Sequence, residues 1–307
     1  MTARSVVLGP DVSRAQSAGH AVVALETTIF SELGLPRPHS VRALSEVTAA
    51  VVSGGSTPAL TAVVDGEVRC GLEAVDQDRI CGPATKMAAR DLGRAVAQRW
   101  AYGATTVSAA VTVAAAAGVE VFATGGIGGV HRNAAVTGDI SADLGAIASH
   151  PVITVTAGAK VFLDLERTVE HLETLGVPVL GWHCDEFPAF HSPSSGVALG
   201  ATVTSAAEVA RIADAHWQLG GGGIVVACPI PDHAAIDRAV LDGWVERALT
   251  LTGASDHGGP DVTPAVLSAL ADLSDGRTVE ANLVLAENNA VVAAAIAVEL
   301  ASGRPTS

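Results

Sequence analysis

Short runs of Val and Ile alternate along this chain with longer alanine-rich stretches, and that alternation limits the folds open to it. Ala21–Leu25, Leu60–Val64, Val119–Ala123, Val152–Thr156, Val177–Leu180 and Ile224–Ala227 predict strands. Val41–Ser53, Ala84–Ala101, Thr106–Ala117, Ile140–Ser149, a segment from about Val161 to Leu175, and Ala206–Leu219 predict helices, and helices dominate after Ala234. Gly118 reads as a helix C-cap. Asp65-Gly66 reads as a turn into Glu67–Cys70, hence a hairpin. Strands alternating with helices give an α/β protein, a three-layer α/β/α arrangement around a mostly parallel sheet. No composition shift or internal repeat divides the chain, so a single α/β domain over residues 1–307 is expected.

The composition supports such a core. The chain is 49% hydrophobic but only 3% aromatic, so Ala, Val and Gly carry the packing. The formal net charge of −14 argues against a nucleic acid polymer or a membrane surface as partner. Residues 1–20 lack the pattern of a signal peptide, and Val107–Val130 is broken by Gly118, Glu120 and a glycine cluster, which reads as helix, strand and loop rather than a membrane span. Cys70, Cys81, Cys184 and Cys228 form no CxxC pair, which points to reduced thiols in a cytoplasm rather than a zinc site or disulfides.

In parallel sheets, ligands sit beyond the carboxyl ends of strands. Glu26 stands at such an end, in ALETTIFSELGLPRPHS. It is either where the strand leaves the core or a working acid. FATGGIGGVHR, from Phe122 to Arg132, is neither a dinucleotide fingerprint nor a Walker loop; its glycines either cradle an anion or make a tight structural turn. Lys160, in TAGAKVFLDLE, falls before the expected helix, where burial and the helix dipole would favour the free amine. A free amine attacks carbonyl carbons, whereas an ordinary lysine there would carry its charge out to the surface. Lys86 and Lys160 are the only lysines among 18 basic residues, and lysine, unlike arginine, loses its proton readily.

Asp139 and Asp143 are spaced i, i+4 in TGDISADL. They suit a hard divalent cation, or else Asp139 is a helix N-cap. Thr105, Thr106 and Ser108 are caps or phosphate-binding hydroxyls. HCDEFPAFHSPSSG, from His183 to Gly196, holds metal-ligating residue types, but neighbours in an extended loop point apart; a packed loop or lid fits better. Asn288 and Asn289 lie on an apolar helix, where a buried amide needs partners.

Together ALETTIFSELGLPRPHS, FATGGIGGVHR, DISADL, AGAK and DEFPAF with its SSG resemble the pseudouridine-5′-phosphate glycosidase family, also called indigoidine synthase A-like, from about Ala21 to Ala297. The resemblance implies an α/β/α homotrimer using Mn²⁺ or another divalent metal such as Mg²⁺. It implies reversible cleavage of pseudouridine 5′-phosphate at its C–C glycosidic bond, to uracil and ribose 5-phosphate. By position it makes Lys160 the imine-forming nucleophile, Glu26 the proton donor and Asp139 the metal ligand. Lys86, Val107, Thr124, Ser141, Ala142, Asp143 and Asn289 become substrate contacts, with Thr124 and the following glycines toward the phosphate and Asn289 toward the base.

The chain departs from the family pattern at Glu32-Leu33, where a His is common, at His191, where Tyr is frequent, and at Pro193, where Arg is common. These departures leave open a changed substrate. Rival readings are a phosphosugar or nucleotide transferase, which lacks a nucleotide motif here, and a catalytically altered phosphosugar- or nucleotide-binding homologue acting in secondary metabolism. Intact Glu26, Lys86, Asp139 and Lys160 count against the latter.

Overall fold

The computed structural model describes residues 6–73, 76–253 and 262–303. Its strands are β1 (Val7–Leu8), β2 (Val22–Leu25), β3 (Thr57–Val64), β4 (Glu67–Cys70), β5 (Thr85–Met87), β6 (Tyr102–Thr105), β7 (Val121–Ala123), β8 (Ile153–Thr156), β9 (Val179–Trp182), β10 (Thr202–Val203) and β11 (Ile224–Ala227). The helices are α1 (Pro10–Ser17), α2 (His39–Ser53), α3 (Gln77–Ile80), α4 (Leu92–Ala97), α5 (Val107–Ala117), α6 (Ala134–Thr137), α7 (Ala142–Ser149), α8 (Leu165–Thr174), α9 (Ala206–Gln218), α10 (Arg238–Thr252), α11 (Val262–Leu273) and α12 (Arg277–Ser302).

One continuous sheet runs β1-β4-β3-β2-β7-β8-β11-β9-β10, with β6 on β3 and β5 on β6. The pairs β2–β3, β2–β7, β7–β8, β8–β11, β11–β9 and β9–β10 are parallel. Only β3 with β4 and β3 with β6 are antiparallel among the described pairs. The mostly parallel α/β/α expectation therefore holds, and the hairpin is formed, with Asp65 at φ 51° and Gly66 at φ 83° in its turn. Such a turn needs positive φ, which Asp tolerates and Gly adopts freely.

The segment read as one helix, Ala84–Ala101, is a correction. It is β5, a short 3₁₀ turn at Ala89–Asp91, and α4, and β6 follows it. Alanine content favoured a helix throughout, but the start of the segment pairs as β5 with β6, which is itself paired to β3, so only Leu92–Ala97 stays α-helical. The helix expected from about Val161 instead starts at Leu165, where the Asp164 side chain caps the Arg167 N–H.

Helix α12 is long and apolar enough to cross a membrane by composition alone. Here it spends that surface on the core. Leu283, Leu285, Ala290, Ala293 and Ile296 are buried, and α12 packs on α2, α9 and the strands β2, β7 and β8. It thereby places polar residues of its inner face over the carboxyl end of the sheet.

Candidate active site

Glu26 follows the last residue of β2 and is 8% exposed. A carboxylate there is costly unless something holds it. Thr124, which follows β7, donates its hydroxyl to Glu26 Oε1 at 2.5 Å. Beneath it, three buried hydroxyls lock the strand ends. Thr27 and Thr105 both donate to Thr61 O, at 2.8 and 2.9 Å, and Thr61 donates to Leu25 O at 3.1 Å. Thr105 is thus a structural pin of β2, β3 and β6 rather than a phosphate ligand.

Burial pushes the Glu26 carboxyl up to about 7, although Lys160, the Thr124 hydroxyl and Lys86 pull it down; the Asp143 charge adds to the rise. Glu26 therefore feels Lys160, Lys86 and Asp143 together, so four of the sequence candidates converge. A carboxyl poised near neutrality can both give and take a proton.

Lys160 lies after β8. Its Nζ donates to Gly126 O at 2.9 Å, and its backbone N–H donates to Ile127 O at 3.1 Å. Because α8 begins only at Leu165, the helix dipole does not bear on Lys160 as the sequence reading supposed.

Asp143 is 6% exposed, and both carboxylate oxygens are occupied. Oδ1 accepts the Ser108 N–H and Oδ2 the Gly128 N–H, each at 2.9 Å. It ties the start of α5 to the glycine loop. Its own backbone N–H is capped by Ser141 Oγ, so Ser141, not Asp139, is the N-cap of α7. Asp139 lies outside the helix, and the expected shared face with Asp143 does not form. Ala142, the first residue of α7, is exposed. Val107 opens α5 and is buried, the whole residue being 1% exposed.

The glycine loop is held mostly by its own neighbours. Thr124 N–H donates to Val155 O, Ile127 N–H to Gly158 O, Gly128 N–H to Asp143, and Val130 N–H to Thr168 Oγ1. A β-carbon at Gly128 would run into Ser141 Oγ, and one at Gly129 into Thr168 Oγ1. Close approach, rather than a bound anion, is what these positions visibly require.

Asn289 on α12 is fully buried. Its Nδ2 donates to Thr124 O at 2.8 Å and Gly125 O at 3.3 Å, while its Oδ1 has no partner among the described residues. A buried acceptor left open beside the site is a place for a ligand N–H. Asn288 is only half-buried and turns toward Pro229 O at 3.5 Å.

Asp139 stands at the end of the glycine loop, where its carbonyl accepts the His131 N–H at 3.1 Å. Its Oδ2 is 3.8 Å from His131 Nδ1, and its side chain is 28% exposed. No group of three or more His, Cys, Asp and Glu able to hold a metal exists among the described residues. One accessible carboxylate fits a hard cation that keeps most of its water and completes its shell on the substrate, not a protein cage.

Sequence reasoning did not foresee the pairing of His191 with Asn282. His191 is fully buried, and its Nε2 lies 2.9 Å from Asn282 Oδ1. Burial drives its pKa down to about 4, so it is neutral. The partners are 91 residues apart, and only the choice of His at this position signalled anything. The loop around it is packed, as expected, with Phe187 and Phe190 buried.

The chain is similar to known proteins along nearly its whole length. The model of the family described as indigoidine synthase A like protein matches residues 11–299. A pseudouridine-5′-phosphate glycosidase of Herpetosiphon aurantiacus is 44% identical over 298 residues, covering 96% of this chain and 98% of the relative. One of a Roseiflexus species is 46% identical over 302 residues, covering 97% and 96%. Among solved structures, the prealnumycin C-glycosynthase AlnA in complex with ribulose 5-phosphate superposes with a TM-score of 0.88 at 33% identity over 97% of both chains. An indigoidine synthase A-like protein from Thermotoga maritima gives 0.85 at 30% identity over 96% of both.

Proposed function

The chain belongs to the indigoidine synthase A-like family, and from that premise we propose how its residues act. Its activity is the reversible cleavage of the C–C glycosidic bond of pseudouridine 5′-phosphate, to uracil and ribose 5-phosphate. It is an enzyme of the lyase type. A carbon leaving group does not depart unaided, so the chemistry needs an electron-accepting centre beside the breaking bond.

Lys160 supplies that centre. Its amine adds to C1′ as the C1′–O4′ bond opens, and Glu26 gives its proton to O4′. The Glu26 carboxylate then takes the proton released from the nitrogen. The nitrogen lone pair forms a C=N bond to C1′ while the C1′–C5 pair moves onto uracil, whose C5 takes the proton back from Glu26. Water hydrolyses the imine, frees Lys160 and yields ribose 5-phosphate.

The observation that carries this reading is the Glu26 carboxyl, buried at a strand end, brought to about 7 and within electrostatic reach of Lys160. A single group that gives, takes and returns a proton must have a pKa near the working pH.

We assign Lys86, Val107, Ser141, Ala142 and Asp143 to the sugar-phosphate side, with Thr124 and its glycines bordering it. Thr124 also holds Glu26. Asn289 is assigned to the base, because its open Oδ1 suits a uracil N–H. Asp139 would hold Mn²⁺ or Mg²⁺, whose charge would offset that of the phosphate. A cytoplasmic homotrimer belongs to the same proposal; buried thiols at Cys70, Cys81 and Cys228 agree with a reducing compartment.

The test is purified protein with Mn²⁺ and pseudouridine 5′-phosphate, with uracil and ribose 5-phosphate followed by chromatography against a chelator control. Release of both products is expected, and the chelator is expected to suppress it. No release from folded, metal-supplied protein would favour a binder with altered chemistry. Light scattering checks the trimer.

A further inference from the structure

Five non-glycine residues have positive φ among the described residues: Asp65, Arg99, His183, Phe190 and Asp275. Four are exposed, whereas Phe190, at φ 61°, is buried and 4% exposed. A bulky aromatic in the left-handed region is a true outlier, and such strain persists only where the surroundings impose it. Here they do so from several sides. Phe190 N–H donates to Ala157 O at 3.0 Å. The next residue is His191, bonded to Asn282 on α12, and its carbonyl accepts the Ile236 N–H at 2.8 Å.

The ring is thereby pressed against the glycine loop. A β-carbon at Gly126 would lie 2.5 Å from Phe190 Cε2, so Gly126 has no room to shift toward the ring. Three successive residues of this loop serve three site side chains. Thr124 donates to Glu26, Thr124 O and Gly125 O hold Asn289, and Gly126 O accepts Lys160 Nζ at 2.9 Å. Of the two glycines, Gly126 has the less space beside the ring, since a β-carbon on Gly125 would lie 3.8 Å from the same Cε2.

We propose that Phe190 is a positioning residue for Lys160: its ring, held in place by the left-handed backbone and the His191–Asn282 bond, fixes the Gly126 carbonyl that aims the attacking amine. This rests on the reading of Lys160 as the imine-forming residue.

A double-mutant cycle on Phe190 and Gly126 tests it. The measured quantity is the rate at which borohydride traps ribose 5-phosphate on the protein at saturating sugar phosphate, with thermal melting recorded for each variant. A misplacement on the order of 1 Å costs about a hundredfold in rate, and that is the loss expected for Gly126→Ala. Phe190→Ala alone is expected to lose roughly tenfold, with the half-saturating sugar phosphate concentration changed by less than about threefold. The double variant is expected to recover to within about tenfold of the native rate, because the added methyl then has space. Phe190→Leu carries the same cycle should the alanine variant not fold.

Additive losses, or a changed half-saturation with an unchanged trapping rate, would overturn the proposal. Native protein that is not trapped at Lys160 would instead remove the imine reading on which it rests, and the two failures are told apart by that control.

Discussion

Two carboxylates are buried in one site, and their surroundings are opposites. At the tip of β2, Glu26 meets one hydroxyl donor and is raised to about 7 by desolvation. At the start of α7, Asp143 accepts a backbone N–H on each oxygen. Two backbone donors tie the Asp143 oxygens in place, whereas burial with a single hydroxyl leaves Glu26 ready to protonate. The same chemical group is thus an anchor in one place and, in the proposed mechanism, a proton carrier in the other. For Glu26, burial outweighs its one hydroxyl donor and the nearby charges of Lys160 and Lys86.

The partner of Glu26 gives the largest expected effect. Lys160→Ala should abolish turnover while the protein still melts as a folded unit, since its Nζ contributes one hydrogen bond to Gly126 O. Near-normal product release by that variant would remove the imine mechanism.

The two carboxylates should then respond in opposite directions. Glu26→Gln should lower turnover by roughly 10²–10⁴-fold, the usual worth of an acid–base group. At pH 8 it should also stabilise the fold by roughly 1–3 kcal/mol, read by denaturant melting. The sign follows from linkage. A raised carboxyl pKa means that folding loses stability as pH rises from about 4.5 to about 7, where the unfolded chain ionises first. The neutral glutamine carries no such penalty.

Asp143→Asn should also lose activity, but with destabilisation of about 1–3 kcal/mol, because an amide NH₂ would face the N–H of Ser108 or Gly128. Stabilisation by this variant would erase the distinction between the two carboxylates.

Smaller effects remain. Cleavage by the native protein should fall as pH rises above about 7, where Glu26 loses its proton, and a pH–rate profile should lose that limb in Glu26→Gln. Asn282→Ala strands the buried His191 Nε2–H and should cost about 1–3 kcal/mol in stability. Its turnover should fall far less than in either carboxylate variant.

What could be read from the sequence was local. Glu26 at a strand end and Lys160 after another strand were visible because strand termini are set by a few neighbouring residues. The hairpin was visible through Asp65-Gly66. The family motifs brought the remaining candidates into view. What was missed depends on distant partners. β5 and β6 exist because β6 pairs with β3, which alanine content does not announce. The glycine loop looked like an anion cradle because its partners Asp143 and Thr168 lie 15 and 38 residues further along. Asp139 and Asp143 looked like one helix face because Ser141, the true cap, differs from Asp139 by only two positions. Phe190 could not be singled out, since positive φ at an aromatic residue leaves no compositional trace.

The scarcity of lysine makes the central claim open to one direct measurement. Only Lys86 and Lys160 carry side-chain amines. Treating the protein with ribose 5-phosphate and borohydride, then mapping the adduct by peptide mass spectrometry, should place one pentose phosphate on Lys160 and none on Lys86. No adduct, or an adduct on Lys86 alone, would contradict the assignment of Lys160 as the residue that breaks the carbon–carbon bond.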